Sequence, residues 1–148
     1  MSPQFEWLLL GVLIVLSAFF SGIETGTVSI NRAVGATTVN VNVDPSGGSM
    51  TLGAVDVLDN AANVSVASGA TLTLTASETV GTLTLAGTLD PAASAHTLTA
   101  TTVSLQGGTV NANLGTGAIT STGDSRLNGT AAGNVTVTAG TLTLGGAN

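Results

Sequence analysis

The sequence is short of charge, aromatic side chains and cysteine. Charged residues make up 7% of its 148 positions, against roughly 25% in ordinary soluble domains. Two arginines within a net charge of −6 exclude a nucleic-acid-binding protein, because phosphate neutralisation needs many cations. The absence of cysteine excludes a disulfide framework and thiol chemistry. All four aromatic residues lie within the first twenty positions, so any later core is built from Val, Leu, Ile and Ala.

The largest uncharged apolar run is residues 7–23, WLLLGVLIVLSAFFSGI, between Glu6 and Glu24. As a helix it would span ~25 Å, the lower limit for crossing a bilayer core. A transmembrane helix, a secretory signal peptide and a buried core helix are the three interpretations. A signal peptide would have a basic N-terminal region and a small-x-small cleavage site, and this sequence has neither. The buried helix lacks a partner helix in the remaining chain. A transmembrane helix within residues 1–32 is therefore favoured.

The stretch LLLGVLIVLSAFFSGIETGTVSINR resembles the first membrane helix of the CorC/cyclin-M family of divalent-cation transport proteins. The similarity lies in an apolar run followed by Ser-Gly-x-Glu-Thr and Ser-x-Asn-Arg, here Ser21, Gly22, Glu24, Thr25 and the segment 29–32. The resemblance implies that Ser21 and Glu24 lie near a metal-ion path. The same two residues also form an ordinary capping box, Ser-x-x-Glu, which would open a short helix. Further membrane helices do not follow Arg32.

Beyond a linker at residues 33–50, which contains one possible strand, apolar residues alternate with Thr, Ser and Asn. Units such as NVSVASGATLTLT and NVTVTAGTLTLGG join two alternating strands through a small-residue turn. Their first apolar positions are Val64, Leu83, Val103, Ile119 and Val135, which gives a repeat of roughly 16–20 residues. That repeat is too short for a propeller blade of about 40 residues and suits one coil of a solenoid.

We therefore predict an all-β fold, a short parallel β-solenoid (β-helix) of about five irregular coils over residues 51–148, preceded by one N-terminal apolar α-helix. A β-sandwich is the alternative fold. The predicted interior residues are Val64, Val66, Leu72, Leu74, Leu83, Leu85, Val103, Leu105, Val110, Ile119, Val135, Val137, Leu142 and Leu144.

No residue pattern indicates catalysis. His96 is the only histidine, and its position at a turn favours a solvated side chain. Asp56 and Asp59, three apart, would point to opposite faces of a strand, while Asp124 and Arg126 would form a local ion pair. We expect no enzymatic activity and no cofactor, and no metal site other than the one that the transporter resemblance implies at Ser21 and Glu24. A polysaccharide-active β-helix enzyme, the second alternative, would need acids grouped on one face.

The repeat region resembles the passenger repeats of bacterial autotransporters and filamentous-haemagglutinin-like adhesins, as in VTVTAGTLTLGGAN. The resemblance implies a structural or adhesive protein of the bacterial cell envelope or outer-membrane surface. Its partners would be the membrane, through the N-terminal helix, and glycans or proteins of a host or environment. The alternative is a truncated cation transporter of the CorC/cyclin-M family.

The two resemblances imply opposite topologies. Arg32 would hold the C-terminal side of the helix in the cytoplasm, whereas an adhesin repeat lies outside the cell. We interpret the chain as a mosaic or a fragment. A membrane-anchored repeat protein with an uncleaved helix is the runner-up.

Overall fold

The computed structural model describes residues 29–31, 40–44, 47–92 and 96–145. Within these ranges every regular element is a β-strand. The strands are β1 (Ser29–Asn31), β2 (Asn40–Val43), β3 (Ser49–Leu52), β4 (Asn63–Val66), β5 (Thr71–Leu74), β6 (Glu78–Leu85), β7 (Thr88–Pro91), β8 (Thr97–Leu105), β9 (Thr109–Val110), β10 (Asn113–Leu114), β11 (Ala118–Ser121), β12 (Ser125–Leu127), β13 (Val135–Val137) and β14 (Leu142–Leu144).

The strands form two sheets that rise together along one axis. Sheet A has the order β1-β2-β4-β6-β8-β11-β13, with β10 also paired to β8, and sheet B has the order β14-β12-β9-β7-β5-β3. Every pairing is parallel except that of β1 with β2, which is antiparallel. From β2 onward consecutive strands alternate between the sheets, except that β10 and β11 both lie in sheet A, so the chain climbs one strand spacing per coil. This is a parallel β-solenoid, as the sequence predicts, and not the alternative β-sandwich.

The six coils are defined by their strands in the two sheets. Coil one contains β2 and β3, coil two β4 and β5, coil three β6 and β7, coil four β8 and β9, coil five β10 to β12, and coil six β13 and β14. The solenoid thus begins before residue 51, because β2 and β3 lie largely in the predicted linker. The single strand expected there is the first strand of coil one.

The pairing register confirms the predicted repeat positions. The aligned residues in sheet A are Val41, Val64, Leu83, Val103, Ile119 and Val135. The corresponding column in sheet B contains Leu72, Leu89, Val110, Leu127 and Leu144. Alternation sends each of these side chains inward and its neighbours outward, so the core consists of stacked aliphatic columns.

Ten of the fourteen predicted interior residues are buried, from Val64 through Ile119. The prediction is wrong for three of the four interior residues expected in the last coil, while Leu142 packs against the core. Val135, Val137 and Leu144 are 42%, 48% and 69% exposed, and Leu142 is half-buried. Their register is that of core residues, but coil six has a neighbouring coil on one side only in the described structure.

An additional inward column arises from the unusual length of β6 and β8. Their first halves pair with each other, and the first half of β8 also pairs with β10, which aligns Glu78, Leu98 and Leu114. An isolated bridge continues the column to Ala131. Leu98 and Leu114 are fully buried and are absent from the predicted core, because single apolar residues within Thr- and Asn-rich stretches give little periodic signal.

The predicted N-terminal helix lies outside the described residues, apart from its last positions. Ser29–Asn31, which carry part of the transporter-like motif, form the antiparallel strand β1. Across the described ranges no helix is long and apolar enough to cross a bilayer.

Close approach between coils gives a first prediction. A Cβ added to Gly117 would overlap the backbone carbonyl oxygen of Ala100 in the coil below, whereas nothing lies within 4 Å of a Cβ added to Gly53. We expect Gly117→Ala to lower the free energy of unfolding by about 1–3 kcal/mol, because backbone must shift. The matched control, Gly53→Ala, should change it by less than about 1 kcal/mol. Chemical denaturation measures both, and equal effects would contradict the coil spacing.

Candidate binding surface on sheet B

The outward face of sheet B carries two columns of polar side chains. The column formed by the first outward position of each strand contains Thr71, Thr88, Thr109, Arg126 and Thr143. The second column passes through Thr73 and Asp90 and continues through Asn111 and Asn128, which follow the last aligned residues of their coils. The leucine or valine between the two columns packs into the core. Equivalent outward side chains in successive coils are therefore held one strand spacing apart, ~4.8 Å.

A chain of hydrogen bonds joins the second column to Arg126. Asn111 donates from Nδ2 to Asp90 Oδ1 at 3.0 Å, and Asn128 donates from Nδ2 to Asn111 Oδ1 at 2.7 Å. The amide oxygen of Asn128, Oδ1, accepts a hydrogen bond from Arg126 Nε at 2.6 Å. Each asparagine therefore presents its amide in a fixed orientation. We call Asp90, Asn111, Asn128 and Arg126 the polar ladder.

The ladder ends at a groove over the last three coils of sheet B. The groove has a volume of about 320 Å³, and the residues lining it are Gly108, Thr109, Asp124, Ser125, Arg126, Thr141 and Thr143. Its charged groups are Asp124 and Arg126, and its other side chains are hydroxyls.

The turn before β12 fixes Asp124 and Arg126 separately. Asp124 accepts a hydrogen bond at Oδ1 from the Thr141 backbone N–H at 2.8 Å. Buried Ser125 donates to the Gly123 carbonyl at 3.2 Å and accepts from the Gly107 N–H at 3.1 Å. The ion pair expected between Asp124 and Arg126 does not form, since the guanidinium bonds to Asn128 instead. Arg126 is the only Lys or Arg in the described ranges.

The other singled-out residues lie apart from this groove. Asp56 and Asp59 are in the exposed loop between coils one and two, not in the strand considered from the sequence, and Asp59 accepts from the Ala61 N–H at 2.8 Å. His96 is half-buried immediately before β8. Ser21 and Glu24 lie outside the described residues. Within the described ranges no three His, Cys, Asp or Glu side chains are grouped as metal ligands.

Glu78 is a buried carboxyl group that the sequence analysis did not identify as a candidate. It occupies an inward position and is 2% exposed. Its Oε2 accepts a hydrogen bond from the Val57 N–H at 3.0 Å, which ties the loop between coils one and two to coil three. Its Oε1 is buried and has no hydrogen-bond partner. Burying a carboxyl group with one oxygen unpaired lowers the free energy of unfolding. Glu78 therefore anchors the loop through Oε2 but destabilises the fold through Oε1.

The sequence contains a signal for the ladder that periodicity alone did not reveal. Three successive coils carry the triplets Thr88-Leu89-Asp90, Thr109-Val110-Asn111 and Arg126-Leu127-Asn128. Each triplet has a hydrogen-bonding residue, an inward aliphatic residue and then Asp or Asn. Recognising that they stack required the register, because their separations in sequence differ.

Comparison with known proteins gives no assignment: no family model, no curated protein and no solved structure matches this chain.

The buried carboxyl of Glu78 gives a second prediction. Glu78→Met should raise the free energy of unfolding by about 1–2 kcal/mol, because it removes an unsatisfied buried acceptor and fills the column with an unbranched apolar chain. The Val57 N–H lies in an exposed loop, where water replaces the lost acceptor. Thr84→Met, outward on the same strand, is the control and should change stability by less than about 0.5 kcal/mol. Urea unfolding measures both, and a loss of stability in Glu78→Met would contradict this account of Oε1.

Proposed function

We propose that this chain is a non-catalytic structural and adhesive repeat protein of a bacterial cell envelope, similar to an autotransporter passenger. The solenoid would be a stiff rod, and the polar ladder with its groove would be the adhesive surface. The N-terminal segment would attach the rod to the membrane or direct it to the cell surface. The observation that carries the proposal is the oriented ladder ending beside Arg126 in an open groove.

The chemistry of the groove favours saccharides as the adhesive ligand. Neighbouring hydroxyls of a sugar both donate and accept hydrogen bonds, and the groove offers a guanidinium donor, a carboxylate acceptor and threonine hydroxyls. Hydrogen bonds to charged partners are the stronger kind. The net charge of −6 opposes long polyanions, so we propose neutral glycans. A protein ligand is the other partner class that the proposed adhesive role allows.

The cation-transport alternative depends on residues 5–32, above all Ser21 and Glu24. It gains no support from β1, since Ser29–Asn31 pair with the solenoid and not with a membrane helix. A polysaccharide-active enzyme could use Asp90 of β7 and Asp124 of the turn before β12, but Asp90 is hydrogen-bonded to Asn111 and Asp124 to a backbone N–H. Neither alternative is favoured by a specific contact.

Affinity electrophoresis tests the proposed function. The full chain is run through native gels that contain a neutral galactomannan, dextran or xylan, and retention is compared with a gel without polysaccharide. We expect retention by at least one polymer, and we expect Arg126→Gln to weaken it by about tenfold, as for the loss of a hydrogen bond to a charged group.

Ser104→Ala provides the control for this experiment. Ser104 lies on the outward side of sheet A, paired with Thr84 and Thr120, and its substitution should leave retention unchanged. Retention that is equal in Arg126→Gln and the unchanged chain would place binding elsewhere. Failure of every neutral polymer to retard the chain would contradict glycan adhesion by this surface.

A further inference from the structure

Asn128 and Gly129 form the only Asn-Gly pair in the 148-residue sequence. In such a pair the backbone nitrogen of the glycine can attack Cγ of the asparagine, because glycine has no Cβ to hinder the approach and few restrictions on its backbone. The N–Cγ bond forms, the Cγ–Nδ2 bond breaks, and the amide leaves as ammonia with the proton of the attacking nitrogen. Water then opens the cyclic imide to aspartate or isoaspartate. The pair is therefore a candidate deamidation site.

The geometry of the solenoid imposes both members of this pair. A Cβ added to Gly129 would overlap the backbone carbonyl oxygen of Ala112, one turn of the solenoid earlier, so a larger residue would require a backbone shift. Asn128 provides both a donor and an acceptor to the polar ladder, since Nδ2 donates to Asn111 and Oδ1 accepts from Arg126. The labile pair thus follows from the close coil packing at Gly129 and from the ladder at Asn128.

The polar ladder has a single direction, which its two ends determine. The carboxylate of Asp90 only accepts hydrogen bonds and the guanidinium group of Arg126 only donates them. Asn111 therefore turns Nδ2 toward Asp90 and Oδ1 toward Asn128, and Asn128 turns Nδ2 toward Asn111 and Oδ1 toward Arg126. Both polar atoms of the Asn128 side chain are thus bonded to other residues. Rotation of this amide toward its own backbone breaks both hydrogen bonds.

The attacking nitrogen is also engaged. The Gly129 N–H donates to the Val110 carbonyl oxygen at 3.3 Å, and the Asn128 N–H donates to the same oxygen at 2.8 Å. The Gly129 nitrogen must lose this proton before it can bond to Cγ. Arg126 polarises the amide of Asn128 through Oδ1, which favours attack, but polarisation accelerates the reaction only when the two reacting atoms can meet. Hydrogen bonds on both reacting groups therefore oppose ring closure in the folded coil.

We propose that the polar ladder keeps the Asn128–Gly129 pair inert in the folded solenoid, and that the pair deamidates when the ladder opens. Deamidation replaces the donor Nδ2 of Asn128 by a carboxylate oxygen, which faces Oδ1 of Asn111. Whichever way Asn111 then turns its amide, two acceptors face each other, either here or at Asp90. The ladder cannot re-form, so the change is a permanent record of its opening. This inference goes beyond the proposed adhesive function and does not depend on it.

Mass spectrometry of the aged full chain tests the proposal. The chain is incubated in mildly alkaline buffer, with a mild detergent because of the apolar residues 7–23, and in parallel in guanidinium chloride. Trypsin cleaves after Arg126, so Asn128 is the second residue of the peptide 127–148, and fragmentation locates the change from amide to carboxyl.

We expect deamidation at Asn128 to be about a hundredfold faster in the unfolded chain, where the three hydrogen bonds that oppose ring closure are absent. In the folded Asn111→Ala variant, which loses one of these bonds, it should be about fivefold to tenfold faster than in the unchanged folded chain.

Asn63→Ala is the matched control. Asn63 Oδ1 accepts from Thr82 Oγ1 at 2.7 Å between coils two and three, so the variant also loses a hydrogen bond between coils, but far from Asn128. Asn63 and Asn111 are both half-buried, and circular dichroism checks that both variants remain folded. Asn63→Ala should deamidate at Asn128 as slowly as the unchanged chain.

Two results would overturn the proposal. Deamidation of the unchanged folded chain at the rate of the unfolded chain would show that the hydrogen bonds of the fold give no protection. Equal rates in the folded Asn111→Ala and Asn63→Ala variants would show that any protection comes from folding in general and not from the ladder.

Discussion

In-register stacking of aliphatic side chains between successive coils is the interaction on which the rest of the structure depends. A single coil has too few apolar residues to enclose a core, and it contains no aromatic side chain. In coils two to five, each inward leucine or valine is buried between residues at the same register position in the coils on both sides. Stability therefore comes from nearest-neighbour contacts along the axis. The contrast between Ile119 and Val135 measures this dependence directly, since the two differ mainly in the number of neighbouring coils.

The same register creates the outward surface. Once one position is fixed inward, the next must face solvent, and its equivalents in other coils line up above it. The alignment of Asp90, Asn111 and Asn128 is a consequence of burying Leu89, Val110 and Leu127. Their amides then bond to each other and to Arg126. A binding surface on this solenoid is thus positioned by the core and needs no separate scaffold.

Much of the fold could be predicted from the sequence because strand alternation and register use the same residues. The positions Val64, Leu83, Val103, Ile119 and Val135 predicted the stacking of sheet A, although their spacing varies between 16 and 20 residues. The column with Leu98 and Leu114 was missed, since each is isolated among polar neighbours. Glu78 was missed because its inward position follows from pairing with Leu98, which no local pattern reveals. The exposure of Val135, Val137 and Leu144 depends on the number of coils beside them, which alternation does not encode.

The candidate surface was less predictable than the fold. A pairing of Asp124 with Arg126 is reasonable from their proximity in sequence, but the turn directs Asp124 to the Thr141 N–H and leaves Arg126 to Asn128. Thr141 lies seventeen residues from Asp124. Asn128 lies only two residues from Arg126, but its amide is oriented by Asn111, seventeen residues away in the preceding coil.

The most direct test of the parallel in-register solenoid is nuclear Overhauser spectroscopy on the isotope-labelled full chain. The account predicts methyl contacts from Leu83 to Val103, from Val103 to Ile119 and from Ile119 to Val135, with the weak cross-strand Hα–Hα contacts of parallel pairs. Strong Hα–Hα contacts between consecutive strands, such as Asn63–Val66 and Thr71–Leu74, would instead show antiparallel hairpins and contradict it.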